Sequence, residues 1–210
     1  IPNYSILQDE NLQVAGEVYL PITQNLMVLP DTEWEDITEV ESHSMALLQC
    51  VDFLDAHPWR LIESDDTALS AKHIAEKKLR HTAAIASDLA AEIYGLKIIA
   101  NEINTIKNNY TRFMVLKRYD HNISPDANKA SLYFKTNHEQ GALIRALSQL
   151  EDINLSKLQS YPIPSEPWHY LFHIDLEFSS LDSYVRNLDR LQRVTEEVHV
   201  YGVYHNNKEI

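Results

Sequence analysis

The sequence predicts an α/β protein built in two parts. Three observations predict it: strand and helix patterns alternate through the first half, a polar stretch interrupts the chain at residues 119–128, and strands and helices then recur in the order βαββαβ. Residues 3–12 read as the tail of a helix. Residues 13–19 and 23–29 alternate with β spacing, with Pro21 and Pro30 as breakers. After a short strand at 37–41, Ser42 introduces a helix whose Ala46, Leu47, Cys50, Val51 and Leu54 form one apolar stripe that Pro58 stops. A strand at 60–63 precedes a helix at 67–78 with Ala68, Ala71, Ile74 and Ala75 turned inward. A small-residue strand follows at 83–86, and Ser87 caps a helix at 88–94 that Gly95 ends in the left-handed conformation. Residues 97–103 are apolar enough for a buried strand, and 110–117 form another. Repeated units of this kind place helices on the faces of a sheet. The polar run of Asp120, His121, Asn122, Ser124, Pro125, Asp126 and Asn128 has linker composition and marks the domain boundary. Beyond it come a strand at 129–136, a helix at 141–150, strands at 153–161 and 169–177, a helix at 181–196 and a strand at 197–204. That order is the ferredoxin-like arrangement.

Composition narrows the function. Thirty-one acidic residues against 18 basic ones leave a formal charge of −13, a field that repels nucleic acid. An anionic metabolite stays admissible, because a pocket answers to its local donors. No apolar run approaches the roughly eighteen residues of a membrane span, and residues 1–4 lack the features of a signal peptide. The single cysteine, Cys50, forms no internal disulfide, which fits a reducing cytoplasm. The ten histidines are scattered, His121 and His138 in linker and turn contexts, and no Cys/His set has metal-ligand spacing. Because the chain opens on Ile1 and straight into a helix-like run, it reads as part of a longer polypeptide.

Four segments carry a resemblance. They are Ser42-His43-Ser44-Met45-Ala46-Leu47-Leu48-Gln49-Cys50, then Asp66-Thr67-Ala68 with Ala71, then Ala84-Ile85-Ala86-Ser87 with Ala90-Ala91 and Tyr94-Gly95-Leu96, and Asn108-Asn109-Tyr110-Thr111-Arg112-Phe113. Together they resemble prephenate dehydratase, whose signature is Thr-Arg-Phe; Ser44 replaces the family's usual proline. Gly141-Ala142-Leu143 and Ile153-Asn154-Leu155-Ser156-Lys157 look like the ACT domains attached to these enzymes, although the family's Glu-Ser-Arg-Pro reads Gln159-Ser160-Tyr161-Pro162 here. The resemblance implies a partial catalytic domain at 1–118, like a periplasmic binding protein with two lobes around a cleft. Residues 17–103 supply one lobe, and 1–16 with 104–118 belong to the other. A linker at 119–128 and an ACT regulatory domain at 129–210 complete the expected layout, and the family's N-terminal catalytic segment lies outside this chain.

The implied reaction is the loss of carbon dioxide and hydroxide from prephenate to give phenylpyruvate, with no metal or organic cofactor. Carried over onto this sequence, the resemblance makes Thr111 the catalytic hydroxyl, hydrogen-bonded to the departing group. From spacing alone, Thr111 is a β-branched residue that suits a strand. Ser42 opens a helix where backbone N–H groups favour an anion, or simply caps it. Gln49, two turns on, presents its amide on the Ser42 side. Asp66 starts the next helix as an active-site acid or a plain N-cap. His43 and Phe113 are expected at the substrate. Arg112 pairs with a substrate carboxylate or, as strand alternation favours, forms a structural ion pair. In the ACT domain Gly141, Ala142, Leu143, Asn154, Leu155 and Ser160 are the expected site for phenylalanine as feedback effector, bound between paired domains of a homodimer or homotetramer. The competing functions are arogenate dehydratase and a non-catalytic amino-acid sensor.

Overall fold

The computed structural model describes residues 7–8, 11–120 and 122–206. The helix expected over 3–12 falls mostly outside them, with only Leu7 and Gln8 described as helical, and His121 lies outside them as well. The chain divides into two compact units, one running from Leu20 to Thr111 and the other joining the residues up to Tyr19 with Arg112 onward.

In the first unit a five-stranded sheet forms because two short strands are apolar on both faces. Every residue of β2 (Asn25–Val28) and of β5 (Thr82–Ala86) is buried. Alternation divides them between two cores. Leu26, Val28, Ala83 and Ile85 pack under α1 (Ser44–Gln49) and α2 (Val51–Leu54), against Ala46, Leu47, Cys50 and Leu54. Met27, Ala84 and Ala86 pack against Ala71, Ile74, Ala90 and Ala91 of α3 (Thr67–Lys77) and α4 (Asp88–Tyr94). With β3 (Glu39–His43), β4 (Arg60–Ser64) and β6 (Lys97–Ala100), the strand order is β4-β3-β5-β2-β6. β3 is parallel to both neighbours and β2 antiparallel to both of its own.

Helix ends follow local chemistry. Ser87 Oγ accepts from Ala90 N at 3.3 Å, and Gly95 ends α4 at φ 63°. Two boundaries differ from expectation. The strand predicted over 97–103 stops at Ala100, and Glu102 takes up a left-handed φ of 50° while its N–H donates to Asn25 Oδ1. The helix predicted from Ser42 begins at Ser44 and breaks at Cys50, because residue 105 takes its groups: Thr105 N donates to Gln49 O at 2.7 Å, and Asp52 N donates to Thr105 Oγ1 at 3.1 Å.

The second unit holds the βαββαβ order. β8 (Lys129–Lys135), α5 (Ala142–Leu147), β9 (Asn154–Pro162), β10 (Tyr170–Glu177), α6 (Leu181–Gln192) and β11 (Glu197–Tyr204) build an antiparallel sheet in the order β11-β8-β10-β9. Ala130, Leu132, Phe134, Ile174 and Leu176 face the helices, meeting Ala146, Tyr184 and Leu191. A ribbon of β1 (Leu12–Pro21) and β7 (Tyr110–Arg118) completes the strands. Two strands alone are marginal. The portion of the ribbon in this unit packs on the opposite sheet face, Val14 and Met114 meeting Tyr133, Tyr201 and Tyr204.

That face also buries His173, which is 3% exposed, with its ring parallel to that of Tyr201 and Nδ1 3.0 Å from the Tyr201 hydroxyl. Burial first, and then the charge of Lys157, push the imidazole down to about 4. Between pH 6.5 and 4 the unfolded chain therefore binds the proton that the folded chain refuses. Stability is complete above that window and falls through it, by on the order of 3 kcal/mol from this group. Urea midpoints at pH 7 and pH 4.5 are expected to differ markedly less in His173→Gln than in the parent. An unchanged acid slope would remove His173 as its source.

Candidate functional site

The first unit contains five of the residues singled out in the sequence. Thr111 is the second residue of β7 and half-buried, and its hydroxyl makes no hydrogen bond among the described residues. Ser42 does not open a helix. It lies inside β3, paired with Glu63 across to β4, fully buried, with Oγ donating to the Ile85 carbonyl at 2.6 Å. The cap is the next residue, His43, whose Nδ1 accepts from Met45 N at 3.2 Å. The shared helix face expected for Ser42 and Gln49 is lost with that correction, since one residue is in a strand and the other ends α1.

Gln49 is instead held by a chain of amides. Gln24 Nε2 donates to Gln49 Oε1 at 3.2 Å, Gln24 N donates to Asn104 Oδ1 at 2.8 Å, and Asn104 Nδ2 donates to the Ile22 carbonyl at 3.2 Å. With its oxygen engaged, the Gln49 side chain offers its NH2 as donor. Beside this chain Asp52, Phe53, Asn104 and Thr105 line a cleft of about 380 Å³. Asp66 is exposed and acts as the N-cap of α3, accepting from Leu69 N at 3.0 Å. Cys50 is fully buried and burial pushes its thiol up to about 12, so it is a core residue with no nucleophilic character.

In the second unit Arg112 is enclosed by partners. NH1 donates to Asp175 Oδ2, NH2 to the Tyr204 hydroxyl at 3.0 Å and to Ser131 Oγ at 3.4 Å. Nε stands 2.5 Å from Glu17 Oε2, a charge contact outside hydrogen-bond geometry. Burial disfavours the guanidinium charge, but Asp175 outweighs it and its pKa is raised. The expected contact with a substrate carboxylate is therefore corrected: both edges of the guanidinium are taken, and Arg112 is a structural ion pair. Lys129 extends the network, reaching Glu17 Oε1 at 2.7 Å and Glu177 Oε1 at 3.4 Å. Phe113, on the other face of the strand, is 51% exposed.

The residues expected to bind an effector separate into two groups. Gly141 is left-handed at φ 76° and starts α5 beside a cleft of about 170 Å³ lined by Ala142, Leu143, His138, Trp168, Tyr170 and Phe172. Ser160 pairs with Phe172 toward the same end of the sheet. Asn154 and Leu155 begin β9 at the opposite end, with Asn154 Nδ2 donating to Glu177 Oε2 at 3.1 Å. Glu17, Lys129, Asp175 and Gly202 escaped the sequence analysis. Their signal was charge, or a lone glycine, at inward positions of a strand pattern.

The family model of prephenate dehydratase matches residues 1–121. The chain belongs to the prephenate dehydratase family. Among curated relatives, arogenate dehydratase/prephenate dehydratase 2, chloroplastic, of Arabidopsis thaliana is 36% identical over 217 residues, covering 96% of this chain and 56% of that protein. The chain spans about half the length of the curated relatives it matches. Among solved structures, the prephenate dehydratase of Arthrobacter aurescens in complex with L-Phe is 27% identical, with a TM-score of 0.82 over 95% of this chain and 68% of that one. A chain described as GqqA, a novel type of quorum-quenching acylase, is 26% identical, with a TM-score of 0.84 over 97% of this chain and 76% of its own. Prephenate dehydratases thus share the mixed α/β fold of both units. Among the described residues no helix is long and apolar enough to cross a membrane.

Proposed function

We propose that the protein is a prephenate dehydratase, with residues 1–118 belonging to the catalytic domain, 119–128 a linker and 129–210 an ACT regulatory domain. In this reaction the bond to the ring carboxyl breaks and carbon dioxide leaves. Its electron pair moves into the ring, the ring hydroxyl departs with its own pair, and a proton makes it water, leaving aromatic phenylpyruvate. The drive lies in the substrate, so the protein has to hold the carboxylates and receive a developing hydroxide. Thr111 is the proposed donor to that leaving oxygen. The observation that carries the reading is the Thr-Arg-Phe segment, in which Arg112 is held by Asp175 and Tyr204 while the Thr111 hydroxyl keeps its donor uncommitted among the described residues. Gln49, whose oxygen is already engaged by Gln24, and Phe113 are the further proposed substrate contacts. Ser42 and His43 support the start of α1, and Asp66 caps α3.

Phenylalanine is the proposed effector. The cleft beside Gly141 offers Leu143, Trp168 and Phe172 to an aromatic ring, and the structurally similar Arthrobacter aurescens prephenate dehydratase is in complex with L-Phe. Asn154 and Leu155 lie at the other end of edge strand β9, so a site using both groups needs a second copy beside the first, which supports a homo-oligomer.

Arogenate is the alternative substrate, since the Arabidopsis relative carries both names. Acyl transfer is disfavoured at two of the hydroxyl and thiol candidates. Cys50 is buried with a raised pKa, and Ser42 donates its proton to a carbonyl.

The test is ultraviolet detection of phenylpyruvate from prephenate, and of phenylalanine from arogenate, by the complete encoded polypeptide. Prephenate turnover that phenylalanine inhibits is expected, with a melting temperature raised by the effector. No turnover of either substrate would sink the reading and favour a sensor; calorimetry showing no phenylalanine binding would sink the regulatory half.

A further inference from the structure

The chain passes from one unit to the other inside β7, between Thr111 and Arg112. Arg112 is thus the first residue on that strand held by the second unit, and its holder is unusual. Asp175 is 2% exposed on β10, an inner strand of the sheet, at a register shift between Asp175 and Leu176. A buried carboxylate on an inner strand is costly unless paired. Asp175 has both oxygens occupied: Oδ2 accepts from Arg112 NH1, and Oδ1 accepts from Ser131 Oγ at 2.6 Å. Ser131 is itself 2.9 Å from the Tyr204 hydroxyl, which accepts from Arg112 NH2. The guanidinium is therefore clamped by groups from β1, β8, β10 and β11.

We infer that Asp175 is a positioning residue for Thr111, acting through Arg112. In an extended strand each side chain's direction is tied to that of its neighbour. Locking Arg112 on one face fixes β7 at that residue and, one peptide away, the face toward which the Thr111 Cβ points. The motif's arginine then serves the reaction without touching the substrate. This inference rests on the reading of Thr111 as the catalytic hydroxyl.

The experiment is a set of kinetic cycles on the complete polypeptide with prephenate as substrate. Asp175→Asn keeps the shape and removes the charge, and is expected to lower kcat about tenfold with KM nearly unchanged, as misplacement of a reacting group does. Ser131→Ala removes the donor to Asp175 Oδ1 but keeps the Arg112–Asp175 ion pair, and is expected to lower kcat about threefold, so it carries the test if Asp175→Asn fails to fold. Both losses are expected to vanish in a Thr111→Ala background, which a merely structural role would not produce. Folded variants with parental kcat, or losses that persist at full size in the Thr111→Ala background, overturn the positioning role. If Thr111→Ala itself keeps parental kcat, the fault lies in the catalytic reading beneath it, and the two failures are told apart by that one variant.

Discussion

Gly202→Ala is expected to destabilise the second unit by about 3 kcal/mol or more, the upper range for forcing atoms into a packed site. An added Cβ would stand 2.0 Å from the Val14 carbonyl oxygen and 2.8 Å from its carbon, and those are backbone atoms that no rotamer change can move. β1 has to retreat from β11, and the retreat loosens the rest of that face. Glu17 on β1 holds Lys129 and Arg112, and the Tyr204 hydroxyl reaches Glu17 Oε2 at 3.3 Å. The melting temperature is expected to fall by about 6–12 °C. A variant that melts with the parent would mean that β1 does not rest on β11 at this glycine.

Thr111→Ala is expected to lower kcat by about 100- to 1000-fold, the usual loss when one donor to a developing negative charge is removed, equivalent to about 2.7–4 kcal/mol. The effect should fall on kcat, because a hydroxide leaving group exists only beyond the ground state. Stability is expected to change by less than about 0.5 kcal/mol, since Thr111 is half-buried and makes no hydrogen bond among the described residues. Thr111→Ser keeps the donor and is expected to retain most of the activity.

The elements legible in the sequence were those whose cause is local. Alternation marked the segment 23–29 that holds β2, and a run of small apolar residues marked β5, whose two faces both meet packed side chains. The Ser87 cap and the Gly95 stop follow from chemistry within a single turn. The Ser42 cap failed because a serine ahead of an apolar helical run satisfies the local rule, whereas pairing with β4 carries β3 through His43 and moves the cap one residue on. Arg112 was readable only as far as its face of the strand. Its partners Glu17 and Asp175 arrive from strands distant in sequence, and no local pattern names them. The candidate site shows the same division. Thr111 was found through a motif, while the Gln24–Gln49–Asn104 amide chain joins three separate segments and leaves no periodic trace.

One measurement bears most directly on the central claim: initial rates of phenylpyruvate formation from prephenate for the parent, Thr111→Ala and Thr111→Ser, each first verified as folded by its melting transition. A loss of at least about 100-fold is expected for alanine with KM close to the parent's, and near-parental turnover for serine. Equal rates for the parent and Thr111→Ala would contradict that claim.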